Sequence, residues 1–456
     1  MIEHTNVSPG VLSSQLQQFF SLSGPKIRRL QNDWDPQRGA PVFTINGKYT
    51  TRGWTEWTQG FMYGCQILQY DATGDEAFLE LGRKNTHEFM APHISHIGVH
   101  DHGFNNVSTY GNLRRLALEN RSDDSLDAVA CYELALKLSG AIQATRWTNT
   151  NDGTGFIYSF NGPHSLFSDT IRSCRALVLA HLLNHTLMGE NDRRISLLDR
   201  AMQHIRNTAR YNVYFGTGRD HYDVRGRVAH ESLFNTNDGN YRCASTQQGY
   251  SPFTTWTRGL SWILLGAAEQ LEFFTVMPSE AYATHDDTGD FLGLLADMAR
   301  ATADFYIENT PTDGIPYWDT DAPGLIHLGD YQNRPAQPDN LYEPVDSSAA
   351  AICAQGLLRL GRYLGKDTQG KPYYDAGLKI ASTLFSPPYI SEDPEHHGML
   401  LHAVYHRPNG WDHVPEGKQI PQGESCMWGD YHAMELAVYL QRELEGGAYL
   451  TFYGPI

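Results

Sequence analysis

The sequence lacks a basic excess, a close cysteine pair, a long apolar run and a phosphate-binding glycine motif. Each absence removes a class of function. Lys and Arg number 35 against 52 Asp and Glu, a net charge of −17 with histidine neutral. A protein that grips the nucleic-acid backbone needs the opposite balance, and so does one that coats an anionic membrane. No stretch approaches the roughly 20 apolar residues of a spanning helix. The most apolar run, Leu260 to Ala268, is too short. The opening MIEHTNVSPG has neither the basic start nor the apolar stretch of a secretory signal, so the chain as given is expected in the cytoplasm. The six cysteines, Cys65, Cys131, Cys174, Cys243, Cys353 and Cys426, are widely spaced, which argues against a zinc finger or a redox pair. Most sit in apolar helical contexts and read as small buried hydrophobes in a reducing compartment. Neither GxGxxG nor GxxxxGK[ST] occurs, so no phosphate cradle is expected.

What is present is helical. Charged residues make up only 19% of the chain and aromatics 12%, which excludes a disordered protein. With 456 residues a large core is easily built, and length alone would suggest two or three domains. In Trp54 to Tyr70 the apolar positions 54, 57, 61, 62, 65 and 68 line one helix face. Asp75 then caps DEAFLELGRKNTHEFM. Ten further helices are expected to begin near residues 11, 107, 125, 167, 192, 256, 290, 346, 370 and 428. Many of the breaks carry Gly, Pro, Asp or Asn, as in Thr73-Gly74-Asp75. Alternating β-branched runs are scarce. The clearest, Pro41 to Tyr49, reads as a hairpin around Asn46-Gly47. No linker or low-complexity tract interrupts the chain, and no period of a solenoid is found. Twelve helices in six hairpins predict an all-α fold, one (α/α)6 barrel spanning residues 1–456 as a single catalytic domain. Three irregular segments, 209–255, 309–345 and 387–427, are rich in Gly, Pro, Tyr, Trp and His. Long loops of this kind usually carry function, here on the active-site face.

Three constellations could carry chemistry. His100-Asp101-His102-Gly103-Phe104 places a carboxylate between histidines at a loop-to-helix turn. Asp101 could equally be a helix cap. With His93 and His96 these histidines also admit a metal reading, although no HExxH accompanies them. The second is Ser168-Asp169-Thr170, where Asp169 opens an apolar helix. It is either another cap or an acid beside Leu166 and Phe167, whose pKa an apolar pocket would raise. The third is Gln247-Gln248-Gly249-Tyr250, followed by Trp256, Arg258 and Trp262. Aromatic faces stack on sugar rings, while Arg and Gln hold carboxylates and hydroxyls. An ordinary buried aromatic helix would look the same. Trp57, His230, Asp346-Ser347-Ser348 and Trp428-Gly429-Asp430-Tyr431 are weaker supporting elements.

Taken in order, these motifs resemble the unsaturated glucuronyl hydrolases of glycoside hydrolase family 88. The matching stretches are EWTQGFMYG at 56–64, HDHGF at 100–104, Asp169 before its helix, QGYSPFTTWTRGLSW at 248–262, DSSAAAICAQGLLRL at 346–360 and WGDYHAMELAVYL at 428–440. Unsaturated rhamnogalacturonyl hydrolases share the fold and the paired aspartates and are the nearest alternative. The resemblance implies release of a Δ4,5-unsaturated uronic acid from the non-reducing end of lyase-generated oligosaccharides. Members protonate C4 of the vinyl ether and add water at C5, after which the hemiketal opens and expels the neighbouring sugar. By similarity Asp169 is the proton donor and then the base, and Asp101, beside His100, holds hydroxyls and tunes it. Trp57, His100, His230, Gln248, Trp256, Arg258 and Trp262 are implied as substrate-cleft residues. No metal or organic cofactor is implied. The implied partner is an anionic unsaturated oligosaccharide, sulfated or not, while nucleic acid and membrane are not expected. Parent polymer and oligomeric state are left open. Two readings from other classes compete: a metal-dependent hydrolase using His93, His96, His100 and His102, and a non-catalytic carbohydrate-binding protein. One departure stands out. Members often carry Asn four residues after the donor, where this chain has Ser173, preceded by Arg172. Arg172 and Arg175 are read as snorkelling on the helix surface, or as lending positive potential to the cleft.

Overall fold

The computed structural model describes residues 2, 7–52, 56–283 and 289–454. Trp54, where the second helix was expected to start, lies outside them. Each of the twelve expected helices is found within a few residues of its expected start. They are α1 (Pro9–Asp33), α2 (Gln59–Thr73), α3 (Glu76–Phe89), α4 (102–118, broken by a π turn at Val107–Gly111), α5 (Leu126–Thr145), α6 (170–182, in two pieces), α7 (Leu197–Tyr211), α8 (Thr257–Val276), α9 (Phe291–Asn309), α10 (Ser347–Tyr363), α11 (Lys371–Leu384) and α12 (Met427–Glu445). Caps set several of the starts. The Asp75, Ser125, Ser196 and Asp346 side chains each accept a first-turn N–H. Gly74 and Gly446 end α2 and α12 at φ 71° and 67°, the left-handed region where glycine costs least.

Burial divides the helices into two sets. The even-numbered helices are buried along most of their length, whereas the odd-numbered ones bury one face only. In a double ring the inner helices are covered on all sides and the outer ones are amphipathic. The inner set closes on itself: α2 packs on α4, α4 on α6, and so on round to α12, which packs back on α2. This is the (α/α)6 barrel. Two inner crossings bring backbones into contact. A Cβ at Gly60 would lie 2.2 Å from the Asn105 carbonyl oxygen, and one at Gly103 would lie 2.1 Å from that of Ser173.

The hairpin at Asn46-Gly47 is present, pairing Phe43–Ile45 with Lys48–Thr50. Sequence reading missed the other strands, because most are only two to four residues long. One of those sheets matters for function. Ser165–Phe167, Glu231–Phe234 and Tyr241–Ser245 form three antiparallel strands. They tie the segment leading into α6 to the long 209–255 excursion. Among the described residues no helix is long and apolar enough to cross a membrane.

The surface reading of the two arginines is corrected. Arg172 and Arg175 are fully buried between inner helices. Arg172 Nε lies 3.1 Å from Glu269 of α8 and Nη2 lies 2.8 Å from Glu435 of α12. Arg175 reaches Glu269 at 3.3 Å and donates from Nε to the Gly103 carbonyl at 2.8 Å. Burial would lower the pKa of Arg172, but Glu269 and Glu435 outweigh it and hold the guanidinium charged. Removing one member of such a cluster strands buried charge of the other sign. Arg172→Met is therefore expected to cost about 3–5 kcal/mol of stability. A Tm equal to that of the unmodified protein would show that the cluster does not hold the ring.

Candidate active site

The cleft lies where the inner helices begin. Trp57 precedes α2, His100 and Asp101 precede α4, Asp169 precedes α6, Trp256 precedes α8, Asp346 precedes α10, and Trp428 is in the first turn of α12. Six helix N-termini thus converge on one end of the barrel, each with its partial positive charge. The cleft is lined by Trp57, Val99, His100, Asp101, Phe104, Phe160, Asp169, Gln248, Trp256, Arg258, Trp262 and Tyr405.

Asp169 and Asp101 stand in N-cap positions, yet neither side chain accepts a cap hydrogen bond. Both turn toward His100 instead. Asp169 Oδ1 lies 3.1 Å from His100 Nε2, and Asp101 Oδ1 lies 3.7 Å from the same nitrogen. The Phe160 N–H donates to His100 Nδ1 at 3.2 Å. Nε2 faces the two carboxylates, which raise the imidazole's pKa against its burial. Burial raises both carboxyl pKa values, but the closer imidazole decides the outcome. Asp169 is held below the usual range because burial is outweighed by His100, through charge and hydrogen bond alike. Asp101 is pushed up to about 6 by burial, with the Asp169 charge adding to the rise against the opposing His100. The sequence reading placed the raised pKa on Asp169. The geometry places it on Asp101, because His100 sits closer to Asp169.

His230 reaches the site through the sheet. The Ser168 N–H donates to the His230 carbonyl at 2.9 Å, so strand pairing sets the histidine beside Asp169. It stands behind the lining, against Phe167 at 4.5 Å and Trp256 at 4.7 Å between ring centroids. Its Nδ1 accepts from the Gln247 and Gln248 N–H groups at 3.0 and 3.3 Å. Burial lowers its pKa to about 4, so the ring stays neutral with its proton on Nε2. Among the described residues that Nε2 has no partner, and neither do the buried Tyr405 hydroxyl and Ser168 Oγ.

The remaining residues build the walls. Trp57 stacks on Trp428 at 5.0 Å and 27°, and Trp262 packs on Phe104 at 4.8 Å. Arg258 meets Trp256, because Trp256 lies ahead of the helix and the guanidinium folds over its ring at 4.6 Å. Arg258 also pairs with Asp346 at 2.8 Å and donates to Gln248 Oε1 at 2.9 Å and to the Val404 and Tyr405 carbonyls. It is a clamp on three loops as well as a lining cation. Arg172 is not in the lining. It lies 6.0 Å from the Phe104 ring and 5.8 Å from that of Trp262, on their far side.

Ser173 acts on the turn that carries Asp101. Its hydroxyl donates to the His100 carbonyl, accepts the Gly103 N–H at 3.1 Å and accepts Gln143 Nε2 at 2.9 Å. Gln143 also donates to the His100 carbonyl at 2.7 Å. The departure from the family's Asn therefore bears on His100 and Asp101 more than on Asp169. The four clustered histidines disperse. His102 bonds Ser139 and the His96 carbonyl, His100 faces the carboxylates, and His93 and His96 meet edge to face at 6.4 Å. Val99, Phe104, Phe160 and Tyr405 escaped the list of site residues. Phe104 lay inside HDHGF, but a lone Phe160 or Tyr405 in an irregular segment carries no spacing signal.

No protein-family model matches the chain. It is 26% identical over 407 residues to an unsaturated glucuronyl hydrolase of Bacillus sp. strain GL1, covering 88% of this chain and 90% of that one. It is 24% identical over 408 residues to an unsaturated chondroitin disaccharide hydrolase of Streptococcus pyogenes serotype M1, covering 89% and 86%. The crystal structure of the Bacillus sp. GL1 unsaturated glucuronyl hydrolase, described as responsible for glycosaminoglycan degradation, superposes with a TM-score of 0.69. That match is at 21% identity over 94% of this chain and 97% of that one, and shows the shared fold. Over most of its length the chain is a relative of the unsaturated glucuronyl hydrolases, with their α/α-barrel fold.

Proposed function

We propose that the protein is a glycoside hydrolase that removes a Δ4,5-unsaturated uronic acid from the non-reducing end of oligosaccharides left by polysaccharide lyases. The observation that carries this reading is the His100–Asp169 contact at 3.1 Å, with Asp101 3.7 Å from the same imidazole, inside an aromatic cleft. The relatives' activities on unsaturated glucuronides and chondroitin disaccharides support it.

The chemistry follows from the electrostatics. Asp169 is ionised in the free site. A uronate entering the cleft adds a like charge, which favours return of a proton to Asp169. Protonated Asp169 then donates to C4 of the vinyl ether, positive charge develops at C5, and the carboxylate so regenerated takes a proton from the water that adds there. The hydrated C5 is a hemiketal, and its opening expels the neighbouring sugar. His100 orients Asp169 through Nε2. Neutral His230 can offer its Nε2 proton to an oxygen. Trp57, Trp256 and Trp262 supply ring faces, while Gln248 and Arg258 hold polar groups. A metal-dependent reading on the histidines is disfavoured, since His93, His96, His100 and His102 take separate partners.

The conjugated ene-carboxylate absorbs in the ultraviolet, and hydration destroys that absorbance. Asp169→Asn is expected to slow the bleaching of unsaturated disaccharides by at least about 10²-fold, the scale of a lost general acid. Bleaching at the unmodified rate would remove Asp169 from the role of donor.

The pH profile tests Asp101. Its carboxyl is neutral below about 6 and ionised above. Above that point two carboxylates and the substrate share one cleft, so kcat/KM should fall as pH rises through about 6. Asp101→Asn should be slower overall and should lose that limb. A limb unchanged in the variant would assign it to another group.

A further inference from the structure

We propose that Arg146 is a positioning residue of the site: its buried guanidinium fastens the two backbone segments that hold His100, and its charge, paired with no carboxylate, acts on His100 and Asp101 from outside the cleft. The link to catalysis rests on the hydrolase reading above; the placement of the charge does not.

Arg146 follows the last residue of α5, is buried, and is not among the residues lining the cleft. All three of its guanidinium nitrogens donate to carbonyls. Nη1 donates to Ile97, Nε to Tyr158 at 3.1 Å and Nη2 to Ser159 at 2.6 Å. The guanidinium also lies over the Tyr158 ring at 4.3 Å. These carbonyls belong to two segments, and both lead to the same imidazole. Ile97 comes three residues before His100. Ser159 precedes Phe160, whose N–H donates to His100 Nδ1 at 3.2 Å. Gln143, in the last turn of α5, holds the His100 carbonyl itself at 2.7 Å. The end of α5 thus grips the His100 segment at Ile97 and at His100, and the Phe160 segment at Tyr158 and Ser159.

A clamp on carbonyls does not by itself require a charge. Eight arginines are buried among the described residues. Six of them, Arg115, Arg172, Arg175, Arg258, Arg359 and Arg442, pair with carboxylates. Arg146 and Arg200 are the two that do not. Arg200 donates to the Ala144 carbonyl and has the neighbouring Asp199 to offset its charge. For Arg146 the offsetting carboxylate is Asp101 of the site, which it does not touch. An arginine keeps its proton even when buried, and a buried charge without a paired partner is costly. The chain therefore holds an uncompensated cation near its two carboxylates.

That cation bears on both titrating neighbours. Burial raises the Asp101 pKa, His100 opposes the rise, Asp169 adds to it, and Arg146 pulls it down. Burial lowers the His100 pKa, Asp101 and Asp169 raise it, and Arg146 lowers it again. The other titratable groups facing this set are Tyr158, Tyr405, His102, His204 and His230. Burial holds the three histidines neutral, with pKa values of about 4, 3 and 4. Arg146 favours ionised Asp101 and neutral His100, so its loss raises both pKa values. Whichever of the two governs the falling limb of the pH profile, the limb then moves to higher pH.

The test compares Arg146→Lys, which keeps the charge, with Arg146→Gln, which keeps two N–H donors without it. Thermal melting checks that each folds, and Arg146→Met takes the place of Arg146→Gln if that variant does not. In the neutral variant the falling limb of kcat/KM should move up by about half a pH unit or more. Its kcat should fall about tenfold with KM within about twofold, because Arg146 positions His100 and does not touch substrate. Arg146→Lys should lower kcat and leave the limb in place. A limb unmoved in the neutral variant, or moved equally in Arg146→Lys, overturns the inference and leaves Arg146 a structural clamp. The charge is also read without turnover, by NMR titration of histidine-labelled protein with the His100 signal assigned through His100→Gln. The His100 midpoint should rise in the neutral variant, and an unmoved midpoint overturns the inference too. If the unmodified protein bleaches no unsaturated disaccharide, the hydrolase reading falls, and the imidazole titration still decides the placement of the charge.

Discussion

Arg172 is the constraint on which the site depends. One guanidinium joins three inner helices, α6, α8 and α12, through Glu269 and Glu435. It lies three residues after Asp169, so the charge cluster that locks the ring also fixes the position of Asp169. Arg175, one turn further, holds the Gly103 carbonyl and thereby the turn carrying Asp101. Buried ion pairs repay their desolvation only when geometry is good and remaining polar atoms are bonded. The bidentate and bridging contacts here meet that condition. The two carboxylates of the cleft are thus set by partners on the far side of the ring.

The cleft answers a problem posed by the net charge of −17. A molecule so acidic repels an anionic substrate at long range, an effect that salt screens. At short range the starts of α2, α4, α6 and α8 border the cleft with their partial positive charges, and Arg258, paired with Asp346, lines it. The site is receptive to one carboxylate and hostile to many. His230 adds no charge, because burial keeps it neutral. A cation there would have competed with His100 for Asp169.

The barrel was legible because its signals are local. The helices announce themselves by a 3.6-residue period, by caps such as Asp75 and Asp346, and by stops such as Gly74. The cleft residues were legible because they cluster at helix starts, where HDHGF and QGYSPFTTWTRGLSW fall. Three things were not legible, for one shared reason. Whether Asp169 or Asp101 has the raised pKa depends on a difference of 0.6 Å in distance to one imidazole. Whether Arg172 snorkels or is buried depends on Glu435, 263 residues away. Tyr405 faces the cleft because of how an irregular segment folds. Sequence periodicity carries no information about contacts made across a closed ring.

Closure of the ring also orders events in time. Trp57, near the start of the barrel, stacks on Trp428 in its last helix, and Asp71 pairs with Arg442 at 2.7 Å. Two ends of the chain therefore build one wall of the cleft. During synthesis the inner helices can pair with their neighbours in sequence, but the wall stays unmade until α12 has emerged. Contacts so distant in sequence form late, because loop closure must precede them. The wall of the cleft is thus unfinished until α12 has been made and packed against α2.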